Sequence, residues 1–299
     1  MSDLKLFRMD GDTVSEIPGT MAALEKSLQV KIERNLEAFL GVRFLASEFS
    51  TGKEHGGRID TIGIDENNCP VIIEYKRSTN ANVINQGLYY LDWLMTHRGD
   101  FEMLVLRVLG EESAKTVEWS NPRLICIAGD FTKYDEHAIK QMNHNIELIR
   151  YVQFGADLLL LEQVNAVSAS IPAQAGNSAT NSNRKAAADR FDALNAKASD
   201  LYELIKEYLV NLGDDVQVRP LKHYVAFRRI KNFVCVHPRA QDFLLFVKLD
   251  PSTVPLEEGF MRDVAHVGHL GTGNLEITVG TPEDFERAKV YLHRSYEGA

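Results

Sequence analysis

The sequence predicts an α/β chain: a mixed central sheet flanked by helices, joined to a smaller α+β second domain. Three observations carry that expectation. Short Ile- and Val-rich runs alternate with amphipathic helical patterns over residues 20–165, the order of a sheet covered by helices. Residues 166–187 are rich in Ala, Ser and Asn with little bulk, and read as a flexible linker. From Ala188 onward, helix and strand signals resume with apolar residues of their own. The predicted boundaries are therefore 1–165, 166–187 and 188–299. A length of 299 residues suits two domains, and a hydrophobic content of 44% is ample for two cores.

A first helix is predicted over about 20–40, where Leu24, Leu28, Ile32, Leu36 and Leu40 recur every fourth residue as one apolar stripe. Strands follow at 43–49, 58–64 and 71–76, from alternation in "FLASEFS" and from the Ile- and Val-rich "RIDTIGI" and "VIIEYK". A helix is predicted over 81–96, strands over 102–108 and 122–128, and a helix over 133–142. The runs "NIELIRYVQF" and "ADLLLLEQV" read as final strands of the sheet. In the second domain "FDALNAKASDLYELIKEYLVNLG" reads as an amphipathic helix closed by Gly213, with short strands after it. The last helix, "TPEDFERAKVYLHRSYEG", has a well-marked start. Thr281 caps it, Pro282 takes the first turn, and Glu283 and Asp284 complement its dipole.

The chemistry concentrates in "GGRIDTIGIDENNCPVIIEYKR". The Asp, Asn and Pro residues of "DENNCP" favour a turn, so the two flanking runs read as a β-hairpin. A turn centred on Asn67 sets Asp60 opposite Glu74. Such neighbours lie about 4.5–5.5 Å apart on one face of the sheet. Lys76, two residues beyond Glu74, shares that face. Mg²⁺ takes hard oxygen ligands and keeps several waters. Asp60 and Glu74 supply two such oxygens, and the carbonyl of Tyr75 is a candidate third. A bound metal polarises a phosphoryl oxygen and acidifies a water. Lys76 is placed to orient that water or offset charge growing on a phosphate. Glu-x-Lys alone is a common solvated pair. Its setting in the nearly continuous apolar run "VIIEYK" distinguishes it, because a buried carboxylate is costly unless paired or metal-bound.

An Asp, a spacer and then Glu-x-Lys resembles the signature of the PD-(D/E)XK nuclease superfamily, with its restriction-endonuclease-like fold. The resemblance covers roughly residues 20–165 and is closest to the NucS-like endonuclease branch. It rests on the helix "ALEKSLQVKIERNLEAFLG", on "GRIDTIGID…VIIEYKR" and on "INQGLYYLDWL". It implies that Glu25 reaches the metal from the first helix, with Glu33 a weaker candidate for that role. Gln86 and Tyr90, four apart on one helix face, resemble the Gln-x-x-x-Tyr motif of the RecB-like branch, which implies a catalytic role in touching a phosphate or the substrate backbone. The alternatives are an ordinary surface Glu25 and a polar cap of Gln86 and Tyr90 over the sheet edge. Ile59 stands where the name-giving Pro of the superfamily is found. Glu48 in "FLASEFS" either supports the site or faces solvent.

The net charge of −9 works against nucleic-acid binding in general, so such binding must use local basic surface. One segment offers it. Arg219, Lys222, Arg228, Arg229, Lys231 and Arg239 fall between Asp215 and Asp242 with no acid among them. His223, Tyr224, Phe227 and Phe233 interleave with them, a mixture suited to phosphate contact and base stacking. The alternative is a core of aromatics with solvated charges. Arg58 and Arg77, flanking the hairpin, join Lys222, Arg228, Arg229 and Lys231 as candidates for nucleic-acid contact. His266 and His269 have no third metal ligand nearby, and no Walker or Gly-x-Ser-x-Gly sequence appears. Three widely spaced cysteines suggest a reducing cytoplasm and no zinc site. No apolar run is long enough to span a bilayer.

Taken together, the residues predict an Mg²⁺- or Mn²⁺-dependent endonuclease acting on DNA in repair or defence. The second domain would aid substrate or partner recognition. Family analogy adds a homodimer that pairs two sites to cut two strands. The competing expectation is a non-catalytic nucleic-acid or protein-binding module that keeps a nuclease scaffold.

Overall fold

Alternation along the central strands divides the first domain into two apolar layers. The computed structural model describes residues 4–20, 25–76, 83–167, 191, 194 and 196–299. A hairpin of β1 (Leu6–Asp10) and β2 (Thr13–Ile17) precedes β3 (Gly19–Thr20). The expected first helix is two helices, α1 (Glu25–Glu33) and α2 (Leu36–Leu40), broken at Asn35, whose φ of −134° is not helical. Next come β4 (Val42–Ser50), the short α3 (Gly52–His55), β5 (Arg58–Asp65), β6 (Pro70–Lys76) and α4 (Val83–Thr96). Helices α5 (Arg98–Leu109) and α6 (Glu111–Lys115) lead to β7 (Arg123–Ala128), α7 (Lys133–Gln141), β8 (Asn145–Phe154) and β9 (Leu158–Val167).

The strand expected at 102–108 is therefore a helix. Phe101 and Val105, four apart, are its buried residues, while Met103, Leu106 and Val108 stay exposed. The apolar run "FEMLVLRVL" hid a helical stripe within it. The other strands and helices of the sheet form where expected, within a few residues. The expected linker lies outside the described residues, except 166 and 167 at the end of β9.

Seven of the described strands build a mixed sheet in the order β3-β8-β7-β6-β5-β4, with β9 on β8. The β6–β7 and β7–β8 pairs are parallel, and the rest are antiparallel. Val71, Ile73, Tyr75, Ile125 and Ile127 face the stripe of Leu28, Ile32, Leu36 and Leu40 on α1–α2. Ile62, Ile64, Ile72, Leu124 and Cys126 face α4, α5 and α7 on the other side. The α4 contact is close. A side chain at Gly87 would meet Leu124 at 2.4 Å, and one at Gly57 would meet the Tyr90 ring at 2.7 Å.

The second domain is α+β. A six-stranded sheet runs β10 (Gln217–Pro220), β11 (Val225–Arg228), β12 (Asn232–Pro238), β13 (Phe243–Val247), β15 (Leu275–Val279), β14 (Met261–Asp263). Val225, Phe227, Val234, Val236, Leu245 and Val247 pack on α8 (Ala196–Val210) and α9 (Pro282–Glu297). Helix α9 starts as the sequence predicts, with a reciprocal capping box between Thr281 and Asp284 and Pro282 in the first turn.

The opposite face of this sheet covers the first domain. Tyr224, Ala226, Cys235 and Phe246 enclose Cys69, in the β5–β6 turn. Asp65 Oδ1 shapes that turn by accepting the N–H groups of Asn67 and Cys69 at 2.8 and 2.9 Å. The Asn67 carboxamide oxygen accepts from Tyr224 at 3.1 Å and from Asn232 at 2.7 Å. Beside them is a buried charge network. Arg123 binds both oxygens of Glu147 at 2.8 Å and Asp65 Oδ2 at 3.0 Å. Arg228 of the second domain lies 3.8 Å from each of these acids, and Arg219 lies 3.9 Å from Glu147. Burial alone would push Glu147 up, but Arg123 and Arg228 hold its carboxyl down at about 2. Removing Arg123 leaves two buried carboxylates with weakened partners. Arg123→Ala is therefore expected to cost about 3–5 kcal/mol, read as the shift in a urea unfolding curve.

Candidate functional site

The site forms where the β5–β6 ladder opens. Paired residues run from Ile64↔Pro70 to Thr61↔Ile73, so the next rung is Asp60 opposite Glu74. At that rung the carboxylates take over from the ladder. Glu74 Oε1 accepts the N–H of Asp60 at 3.1 Å, and Asp60 Oδ2 accepts the N–H of Tyr75 at 3.0 Å. The two acids are thus locked together across the strands, as the turn at Asn67 predicts.

Their electrostatics are unusual. The Glu74 side chain is fully buried, and its Oε2 has no hydrogen-bond partner. Burial, and then the charge of Asp60, push its carboxyl up to about 9. The N–H of Asp60 and the charge of Lys76 oppose that shift and do not cancel it. Lys76 is half-buried at the end of β6. A buried acid held neutral beside a second acid has room, in electrostatic terms, for a cation.

Helix α4 closes the site from one side. The Tyr90 hydroxyl accepts the Arg58 N–H at 3.2 Å and packs over Gly57. Gln86 lies one turn earlier on α4 and is half-buried. Helix α1 supports the site from the other side through Gln29, which the sequence reading missed. Its Nε2 donates to the Asp60 carbonyl at 2.8 Å, to Glu33 Oε1 at 2.9 Å and to Ser47 Oγ at 3.2 Å. Thr61 Oγ1 also donates to Glu33, at 2.6 Å. Glu33 is therefore engaged in fixing α1 to β5. The signal for Gln29 was its spacing, four residues from both Glu25 and Glu33 in an amphipathic helix. Glu25 is the first residue of α1, and its side chain, like the whole of Arg77, lies outside the described residues.

One irregularity sets the geometry. Ser47 pairs with Thr61, and Phe49 with Ile59. Ser47 and Thr61 belong to the α1-side network, whereas Phe49 and Ile59 pack with the α4-side core. Both strands therefore switch faces at the rung between, which is Glu48 opposite Asp60. Glu48 makes the switch with a left-handed backbone, φ 53°. Its carboxylate takes Lys26 at 2.5 Å and Arg58 at 3.3 Å.

The basic segment does not form the open patch that its sequence suggests. Arg228 and Arg219 are buried among Asp65 and Glu147, where Arg228 has no surface to offer a phosphate. Charge reversal at Arg228 breaks the domain interface before it reports on any ligand. Arg229 pairs with Asp215 at 2.5 Å and lies over the Tyr296 ring. Lys231 donates to the Ala38 carbonyl at 3.0 Å, and Arg239 pairs with Asp242. Lys222 remains exposed, as does Arg58 beside the site. Phe227 and Phe233 are core residues, and Tyr224 belongs to the interface. The second domain docks at the turn end of the hairpin. Asp65 stands five residues along β5 from Asp60, about 17 Å at the rise of a strand.

Residues 187–298 match the family model described as a domain of unknown function, DUF5655. An uncharacterized protein of Haemophilus influenzae is 28% identical over 307 residues, covering 95% of this chain and 96% of that protein. Two solved structures are similar over part of the chain, each at 18% identity. One is described as a repair endonuclease from Pyrococcus abyssi, with a TM-score of 0.29, covering 46% of this chain and 51% of that one. The other is an EndoMS–dsDNA complex, with a TM-score of 0.26, covering 44% and 47%. The chain spans about half the length of the solved structures it matches. Scores this low leave the side chains of the site to carry the functional reading.

The raised Glu74 carboxyl has a measurable sign. Its folded value, about 9, lies above the unfolded value of about 4.3. The stability contributed by the neutral acid is fully present below the unfolded value and is lost as pH rises toward 9. Glu74→Gln keeps an acceptor for the Asp60 N–H and cannot ionise. In EDTA the variant is expected to be more stable than the parent by roughly 2 kcal/mol at about pH 8, with a smaller gap at about pH 5. Urea unfolding at the two pH values checks this.

Proposed function

We propose that the chain is a divalent-metal-dependent endonuclease that hydrolyses phosphodiester bonds in DNA, built on the PD-(D/E)XK pattern. One observation carries the reading: the buried, partnerless Oε2 of Glu74, beside Asp60 and within the field of Lys76. Two adjacent carboxylates are a hard-oxygen donor pair, and Mg²⁺ or Mn²⁺ is the cation class they fit. Among the described residues no third His, Cys, Asp or Glu joins them, which suits an ion that keeps several waters.

Asp60 and Glu74 would hold the ion, with the Tyr75 carbonyl as a third protein oxygen. The Tyr75 N–H points toward β5, so its carbonyl lies on the same open edge of β6. The ion would supply Lewis acidity and an acidified water. The protein supplies the rest. Tyr90 fixes the start of β5 through the Arg58 N–H, and Gln29 fixes Asp60 from behind. Lys76 places a positive charge at the mouth of the site, where charge builds on a phosphate under attack. Gln86 lies on α4 as a candidate contact for the substrate strand. Duplex cleavage on both strands would require a pair of chains.

The alternative is a non-catalytic nucleic-acid or protein-binding module that keeps a nuclease scaffold. One assay separates them. Labelled single-stranded, branched and mismatched DNA is incubated with Mg²⁺ or Mn²⁺. Glu74→Ala and Lys76→Ala are each expected to lower cleavage by about a hundredfold or more. Binding without cleavage by the parent chain supports the second reading, and cleavage unchanged in both variants refutes the first.

A further inference from the structure

The backbone at Glu48 costs energy that its visible contacts do not return. A residue with a Cβ in the left-handed region loses roughly 1–2 kcal/mol. Glycine at this position would remove that cost. The Lys26 and Arg58 pairs are exposed, and such pairs contribute only about 0–1 kcal/mol. Stability alone therefore does not explain a glutamate here. An outlier of this kind is a pointer to function.

What the strain achieves is positional. It turns Glu48 out of the strand alternation toward two cations from different elements, Lys26 on α1 and Arg58 on β5. The Lys26 hydrogen bond, outweighing burial, and the charges of both cations hold the Glu48 carboxyl below the usual range, so it stays ionised. Arg58 and Lys26 remain solvent-facing, with 69% and 56% of their side chains exposed. Arg58 contacts Glu48 through Nε, and most of its side chain stays exposed to solvent. Its own backbone N–H is fixed by Tyr90, and it precedes Asp60 by two residues. Two long cations thereby meet at Glu48, on the rung that faces Asp60, in a chain of net charge −9.

We propose that Glu48 is a positioning residue that holds Arg58 and Lys26 as a two-pronged phosphate clamp for a nucleic-acid strand beside Asp60 and Glu74. The clamp rests on the nuclease reading for its purpose, though its binding can be measured without cleavage. Arg58 takes a backbone phosphate with its planar fork, and Lys26 takes a neighbouring phosphate as a point charge. Such contacts are sequence-independent, so the clamp sets register along the strand and leaves base choice to other residues.

Glu48→Gly tests this, because it relieves the backbone and removes the carboxylate together. Fluorescein-labelled oligonucleotide, single-stranded and duplex, is titrated with the full chain in Ca²⁺ across a salt series. Cleavage is followed in Mg²⁺. Glu48→Gly is expected to unfold no more easily than the parent and to bind about five- to tenfold more weakly at low salt. Its slope of log affinity against log salt should be shallower by about one. In cleavage the loss should appear in KM and not in kcat. Arg58→Ala should show the same change, and the double variant little more. If the parent binds but does not cleave, and Glu48→Gly weakens binding, the clamp stands and the nuclease reading fails. If the parent cleaves and Glu48→Gly keeps parental KM and salt slope, the clamp is overturned and the nuclease reading stands. A parent that binds neither oligonucleotide overturns the clamp.

Discussion

A carboxylate buried in a sheet covered on both faces must find positive charge or give up its own. Water would solvate an ionised oxygen by many kcal/mol, and a protein interior does so only through donors and cations placed for the purpose. The β5–β6 hairpin meets this constraint twice, once at each end. At the turn end Asp65 lies beside Glu147, and three arginines surround the pair. Glu147 stays ionised there, held at about 2 against the push of burial. At the open end Glu74 lies beside Asp60 with one lysine nearby, and it drifts to about 9. The same physics gives opposite outcomes because arginines pair directly with the acids at one end, while at the other only the N–H of Asp60 and the charge of Lys76 oppose the burial of Glu74.

That asymmetry divides the molecule by task. The satisfied end is structural. It joins the two domains, since Arg123 comes from the first and Arg219 and Arg228 from the second. The unsatisfied end carries the stored electrostatic deficit that a functional site needs. Everything around it is arranged to hold the deficit in place. Gln29 grips the Asp60 carbonyl, Tyr90 grips the start of β5, and Glu48 turns out of the strand to anchor two cations at the rim. The second domain, docked at the far end of the hairpin, leaves this rim to the first domain. Its role in any recognition must act through surfaces other than the buried arginines.

Much of this was legible in the sequence where the determinants are local. The "DENNCP" turn sets the hairpin register, and register alone sets Asp60 against Glu74. The four-residue stripe from Leu28 to Leu40 and the Thr281 cap are likewise local signals. The failures have more than one cause. Arg228 looked like open basic surface because its neighbours in sequence carry no acid. Its acidic neighbours, Asp65 and Glu147, come from the other domain, and only folding brings them near. The helix Arg98–Leu109 was hidden because its apolar residues run together and obscure the spacing of Phe101 and Val105. Glu48 stood out in sequence only as a residue that either supports the site or faces solvent, and its left-handed backbone gave no sign, because glutamate does not announce one. Gln29 was not singled out, because its three contacts come from α1, β4 and β5 and meet only in the fold.

In the proposed cation site at Asp60 and Glu74, the proton that burial holds on Glu74 must leave as an ion binds. Calorimetric titration of Mn²⁺ into the protein at about pH 7, repeated in buffers of different ionisation enthalpy, counts the protons displaced per ion. The account predicts saturable binding with release of about one proton for each ion bound. Binding with no proton release, or no saturable binding at all, would contradict it.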